Sequence, residues 1–327
     1  MTLTFPLRRR EALGKLLALG AAAVAGPTFA ADPFPSKPIT LILPFPSGGS
    51  MDPIFRALAH AASQDLGQPI VLMHKPGAGG VMGTAQLATM NESDGYTLAA
   101  MHNSVIRAPL LQKMPWDPLR DFTYVIGLAG LVTGITVAAD APWKSLRELI
   151  DDARKQPGVL SWGNVGAISA NRIHAERLAR AAGVKFNMVP FKGGAESFQA
   201  LIGRHLDVLG DPGFGAQVQG GKARLLATFT SQRLKRYPDV PTVKELGYEL
   251  VLESTVGLVA PKNLDAKIAA RLEAAFQQAA GTPAYLQQLD AFDMLPNLLT
   301  STAYTAYARA QFDREARMLQ EVGFKPA

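Results

Sequence analysis

The sequence predicts an α/β protein of two parallel-rich sheets joined by two hinge crossovers, with a ligand in the cleft between the two domains. Three observations carry this. Apolar, β-rich runs alternate with helical patterns along the chain. Two glycine-rich turns, Leu43-Pro-Phe-Pro-Ser-Gly-Gly-Ser-Met-Asp-Pro53 and Lys75-Pro-Gly-Ala-Gly-Gly-Val-Met-Gly-Thr84, each stand between a strand and a helix. The strand–helix alternation also stops and restarts near residue 133, and a late strand pattern appears near 255.

Residues 1–30 read as an export signal. Arg8, Arg9 and Arg10 form a charged start, Leu13 to Ala25 an apolar run, and Thr28-Phe29-Ala30 a small-residue cleavage pattern. The adjacent arginines favour the twin-arginine route, with cleavage near Ala30 and a periplasmic destination. The apolar run is shorter than the ~20 residues a membrane span needs. The signal carries +3 of the chain's +6 charge, so the mature chain is close to +3. With no Lys/Arg run interleaved with aromatics, nucleic acid is not expected as a partner. There is no cysteine, which removes disulfides, thiol catalysis, thiolate metal sites and a lipoprotein anchor together.

In the first unit, Ile39–Leu43 reads as a strand, and Asp52-Pro53 opens a helix, Asp as N-cap and Pro at the first helical position. Gly67 closes that helix. Ile70–Met73 is the second strand, Thr84–Thr89 lies in the second helix, and Tyr96–Met101 is the third strand after the Asp94-Gly95 turn. Strands and helices in that order make a parallel sheet with right-handed crossovers.

The pattern restarts with a helix over Lys144–Gln156 and a strand over Val159–Trp162. A turn, Gly163-Asn-Val-Gly166, and a helix from Ser169 to Ala182 follow. Phe186–Val189, His205–Leu209 and Leu225–Thr230 read as strands, and Gly193-Gly194 opens another helix. The tail reads as one strand, Thr255–Val259, with helices over Asp265–Ala280 and Thr302–Leu319. Such a tail has too little to make its own core, so it packs back on the first unit. The expected domains are therefore 31–132 plus 255–327, and 133–254.

Glycine turns between strand and helix let bare N–H groups face a ligand, and the helix dipole favours an anion there. Two such turns from neighbouring strands point to a small carboxylate or phosphate. Ser47 and Ser50 serve either as ligand hydroxyls or as caps for the following helix. Asn164 serves either as a ligand donor or as a turn former. Asp211 either receives a ligand hydroxyl or ammonium or holds the Pro-Gly turn after it. Phe45 and Phe214 serve either as core or as ligand platform. Asn103 follows the third strand, where it can line the cleft.

Catalytic arrangements are missing. The five histidines form no His-x-x-x-His pair and no metal-ligand cluster. No Gly-x-Ser-x-Gly elbow occurs. Gly77-Ala-Gly-Gly-Val-Met-Gly83 misplaces the last glycine of a dinucleotide fingerprint. No Gly-Lys-Ser/Thr follows a glycine-rich loop. No enzyme activity, cofactor or metal is expected.

The two turns and Asp94-Gly-Tyr-Thr-Leu98 resemble the Bug family, the periplasmic solute-binding proteins of tripartite tricarboxylate transporters. So do Val189-Pro-Phe-Lys-Gly-Gly194, Leu201-Ile-Gly-Arg-His-Leu-Asp-Val208, Asp239-Val-Pro-Thr-Val243 and Gly257-Leu-Val-Ala-Pro261. The resemblance runs in order along almost the whole mature chain. It implies the type II periplasmic-binding fold, two domains closing like a flytrap on a small organic carboxylate, and membrane transporter subunits as partners. A monomer is the default of that architecture. The contacts it implies are Phe45, Ser47, Gly48 and Ser50 in the first loop and Ala78 and Gly79 in the second. In the second domain they are Asn164, Val165, Gly166, Ser169 and the Asp211–Phe214 segment. Asn164, Val81 and the Pro-Gly-Phe wall depart from the family pattern and tilt the expected ligand towards an apolar or aromatic body. A receptor that reports its ligand to a membrane signalling partner would share the fold and site.

Overall fold

The computed structural model describes Met1 and residues 34–166, 169–252 and 254–321. The export-signal reading of residues 1–30 and its cleavage point lie outside the described residues, Met1 aside. From Lys37 onward the chain packs as one compact unit.

The elements, in chain order, are β1 Ile39–Leu43, α1 Met51–Leu66, β2 Ile70–His74, α2 Val81–Ala85, β3 Thr97–Met101, α3 Asn103–Leu111, β4 Phe122–Leu131 and β5 Gly134–Ala138. Then come α4 Leu146–Lys155, β6 Ser161–Val165, α5 Ala170–Ala182, β7 Asn187–Phe191, α6 Gly194–Ile202, β8 Val208–Asp211, α7 Gly215–Gln219 and β9 Ala223–Thr228. The last are β10 Ser254–Pro261, α8 Ala266–Ala280, α9 Pro283–Ala291, β11 Leu295–Leu299 and α10 Ser301–Glu321.

They form two sheets. The first has the order β11-β4-β10-β3-β1-β2, the second β7-β6-β8-β5-β9. The chain leaves the first sheet through Val132-Thr133 and returns to it through the segment between β9 and β10. This is a two-domain α/β protein with mixed sheets. Within the first sheet β2, β1 and β3 run parallel, in the register Ile39↔Ile70 and Thr40↔Thr97. Strand β10 lies antiparallel to both β3 and β4. In the second sheet β6 is parallel to β7 and β8, and β5 is antiparallel to β8 and β9.

Helix α1 begins at Met51, one residue before the expected cap. Ser50 occupies the N-cap position without a side-chain cap bond, and Asp52 sits in the first turn. Its carboxylate is engaged instead by the loop before it and by Arg56 of the next turn. At the other end Gly67, at φ 69°, closes the helix in the left-handed conformation that glycine tolerates best.

The tail is richer than one strand and two helices. It also holds α9 and the edge strand β11. Strand β11 carries Pro296 and leaves Leu295 and Leu298 exposed, so its sequence lacks the alternation of a half-buried strand. Strand β4 carries Gly127 and Gly130, which dilute its β signal. Those glycines are what let β11 lie close: a Cβ at Gly127 would fall 2.9 Å from Cβ of Leu299.

Ile42, Ala99, Met101, Tyr124 and Val259 of the first sheet share one buried cluster with Val105 of α3 and Tyr304 of α10. Tyr304 of α10 is fully buried and donates to the Met101 carbonyl at 2.9 Å. The second sheet surrounds Trp162, whose ring meets Phe186 edge-on at 5.0 Å. These cores fix the strand ends, and the strand ends carry the site.

Candidate functional site

The C-terminal ends of the parallel strands of both sheets face one cavity of about 100 Å³. Four helices begin at its wall: α1 at Ser50-Met51, α3 at Asn103-Ser104, α5 at Ser169-Ala170 and α6 at Gly193-Gly194. Each is at least nine residues long, so each brings the positive end of its dipole to the cavity. Among the described lining residues there is no lysine or arginine.

The first loop is held from below by Asp52. Its carboxylate accepts the Ser47 hydroxyl at 2.8 Å, the Gly48 N–H at 3.1 Å and Arg56 at 2.8 Å. Burial pushes the Asp52 carboxyl up, but these donors outweigh it and hold the pKa below the ordinary value. His74, at the end of β2, donates from Nδ1 to the Phe45 carbonyl at 3.0 Å. Ser47 and Gly48 thus spend their donors inside the loop and do not line the cavity, while Phe45, Pro46, Gly49 and Ser50 do.

The second loop is tied in by His102. Its Nε2 donates to the Gly80 carbonyl at 3.1 Å, and its Nδ1 accepts the Ser104 N–H. The ring lies 5.0 Å from that of Phe45. Burial holds this imidazole neutral, with a pKa pushed down to about 4. Gly79 lines the cavity; Ala78 does not. Asn103 also lines it and is anchored from behind, its Oδ1 accepting the Tyr307 hydroxyl at 2.9 Å.

From the second sheet, Val165, Ser169 and Asp211 line the cavity. The Ser169 hydroxyl accepts the Arg172 N–H at 3.2 Å and caps α5. Asn164 is fully buried beneath the turn, and its amide donates to the Gly166 carbonyl at 2.6 Å. It is placed as a turn former, out of the cavity lining. Gly166 meets Gly79 of the opposite loop instead: a Cβ on Gly166 would lie 3.0 Å from Cα of Gly79.

Phe214 is fully buried and packs with Leu225 and Tyr237. It faces the core because Gly134 of β5 leaves it room. Val81 is likewise buried in the first core. The expected apolar ligand wall therefore loses both residues, and of that segment only Asp211 and Pro212 reach the cavity.

Sequence reasoning missed Asn171, the second residue of α5, which lines the cavity. Its signal was a polar residue just after a serine cap. It also did not place Gly193 and Gly194 in the site, although it read them as a helix start. Leu131 and Ser254, at the two crossovers, line the cavity as well.

Residues 54–324 match the family described as the Tripartite tricarboxylate transporter family receptor. The chain belongs to this family. A curated relative from Cupriavidus necator, the UPF0065 protein in the gbd 5′ region, is 42% identical over 311 residues, covering 95% of this chain and 94% of the relative. The solved periplasmic binding protein BugD superposes with a TM-score of 0.84 at 27% identity, over 90% of this chain and all of BugD. The R. palustris protein Rpa4515, solved with adipate, gives 0.84 at 25% identity, over 90% of this chain and all of that one. The Bug resemblance is thereby established: the chain is a solute-binding receptor of the tricarboxylate-transporter type.

Proposed function

We propose that this receptor works in the periplasm, captures a small organic carboxylate between its two lobes and delivers it to the membrane subunits of its transporter, without chemistry. The observation that carries the reading is the convergence of four helix N-termini on one cavity whose described lining holds no lysine or arginine. Such a site stabilises an anion through fixed N–H dipoles, placed by folding rather than ordered on binding. The adipate bound to Rpa4515 supports a carboxylate as that anion.

The lobes are 31–132 plus 255–327 and 133–254, turning about the two crossovers. Ligand touches both lobes only when they are closed, so binding shifts the population towards that state. The ligand contacts are the cavity-lining Phe45, Ser50, Gly79, Asn103, Val165, Ser169 and Asp211. The protein acts as a monomer, exported with its signal removed near Ala30.

A thermal-shift screen of the mature protein tests this, using mono-, di- and tricarboxylates, aromatic acids, amino acids and sugars. A carboxylate at 100 times its Kd adds about 2.7 kcal/mol, a rise of about 5 °C in Tm. The expected result is such a rise with the acid recovered unchanged. Stabilisation by non-acids alone, or a transformed ligand, overturns the reading.

A further inference from the structure

Among its described lining residues the cavity holds one carboxylate, and its charge has the wrong sign for a simple anion trap. Asp211, the last residue of β8, is 3% exposed and lines the cavity. One carboxylate oxygen accepts the Asn171 side-chain amide at 2.7 Å. The Val165 main-chain N–H is its other donor. On its other side Asn171 Oδ1 accepts the Thr133 hydroxyl at 3.0 Å. Thr133 lies in the crossover between the sheets, so the chain Thr133–Asn171–Asp211 fixes the carboxyl from the hinge side.

Neither lysine nor arginine is among the described lining residues, and His102 is neutral. A carboxylate offers about four acceptor positions, and two neutral donors leave acceptor capacity toward the cavity. The oxygen Oδ2 lies beside Gly194, 3.9 Å from where a Cβ of that residue would stand. Burial raises the Asp211 pKa to about 7, which is what an acceptor without a charge partner experiences in a dry site.

We propose that Asp211 is the specificity-determining residue of the cavity, selecting acids that carry a hydroxyl or ammonium group besides the carboxylate held by the helix N-termini. The inference rests on the carboxylate-receptor reading. Such a donor meets the spare acceptor of Asp211. A donor-free acid leaves that buried acceptor unmet, and sites built around a buried polar group reject ligands that fail to satisfy it.

Isothermal titration calorimetry on matched acids decides it. One set is butanoate, 4-hydroxybutanoate and 4-aminobutanoate; the other is the corresponding six-carbon set. The expected result is that a donor-bearing acid binds the wild type at least tenfold more tightly than its parent. In the isosteric Asp211→Asn that ratio falls at least tenfold for the amino acid. Parents that bind as tightly as their donor-bearing partners overturn the proposal, and so does a ratio that survives Asp211→Asn. Should that variant fail to melt cooperatively, Asp211→Ser replaces it, and the wild-type ratio decides by itself if it is near one. If the broader acid screen finds binders and none gains from a donor, the proposal falls while the receptor reading stands. If no acid binds at all, both fall.

Discussion

Two glycines from opposite lobes touch in this structure, and that contact can be perturbed by a single methyl group. Gly166 has φ +80°, and a Cβ there would lie 3.0 Å from Cα of Gly79, itself at φ +64°. In Gly166→Ala two costs arise. The left-handed backbone costs an alanine about 1 kcal/mol, whether the lobes are open or closed. The methyl clash exists only when the loops meet, and it is backbone against methyl with no flexible side chain to give way. Overpacking of this kind costs about 1–3 kcal/mol, which weakens binding by about 5- to 150-fold if closure is needed.

Gly183→Ala is the control. It shares the left-handed conformation, at φ +64°, with nothing within 4 Å of the added methyl. Both variants should lose about 1 kcal/mol in a denaturant melt of the unliganded protein. Only Gly166→Ala should lose affinity in calorimetry with an acid found by the screen. Wild-type affinity in Gly166→Ala, or equal weakening in Gly183→Ala, would refute the closure argument.

Two further outcomes are expected, both in stability. Arg107 and Glu315 form a buried pair at 3.5 Å, each at most 1% exposed. Glu315→Ala strands the guanidinium and should cost about 3–5 kcal/mol, most of it recovered in Arg107→Met/Glu315→Leu; chemical denaturation of the three proteins measures this. The pH dependence has opposing limbs. Burial lowers His102 and His174 from 6.5 to about 4, so the stability due to their neutral forms is full above 6.5 and is lost as pH falls towards 4. Asp211 goes the other way: raised from 3.8 to about 7, it favours the folded state at low pH, and that stability is lost as pH rises from 3.8 through 7. Asp211→Asn should therefore be more favourable relative to wild type at pH 8 than at pH 4, by about 4 kcal/mol. A pH-independent difference between the two proteins would refute this.

Elements with local patterns were legible before any fold was known. The apolar runs Ile39–Leu43 and Ile70–Met73, each followed by glycines and a helical stripe, specify strand, turn and helix, and the second strand runs one residue further, to His74. Order along the chain then specifies the parallel pairing of β1 with β2 and β3. The Ser169 cap and the glycine openings of the helices were legible for the same reason, since an N-terminus is satisfied by its own next turn.

The direction in which the loop side chains point is set by the packing of the folded chain. Ser47 turns to Asp52 because a buried carboxylate needs donors. Asn164 turns to Gly166 because a fully buried amide must find a carbonyl. Phe214 turns to the core because Gly134 leaves space across the sheet. The same holds for β11, whose exposed edge has no pattern of its own and exists because β4 offers it a partner. Local pattern fixes where a chain bends and coils. Ser47 and Asn164 take partners only five and two residues away, yet it is burial in the folded loops that selects them; Phe214 depends on Gly134, 80 residues away, which no local period records.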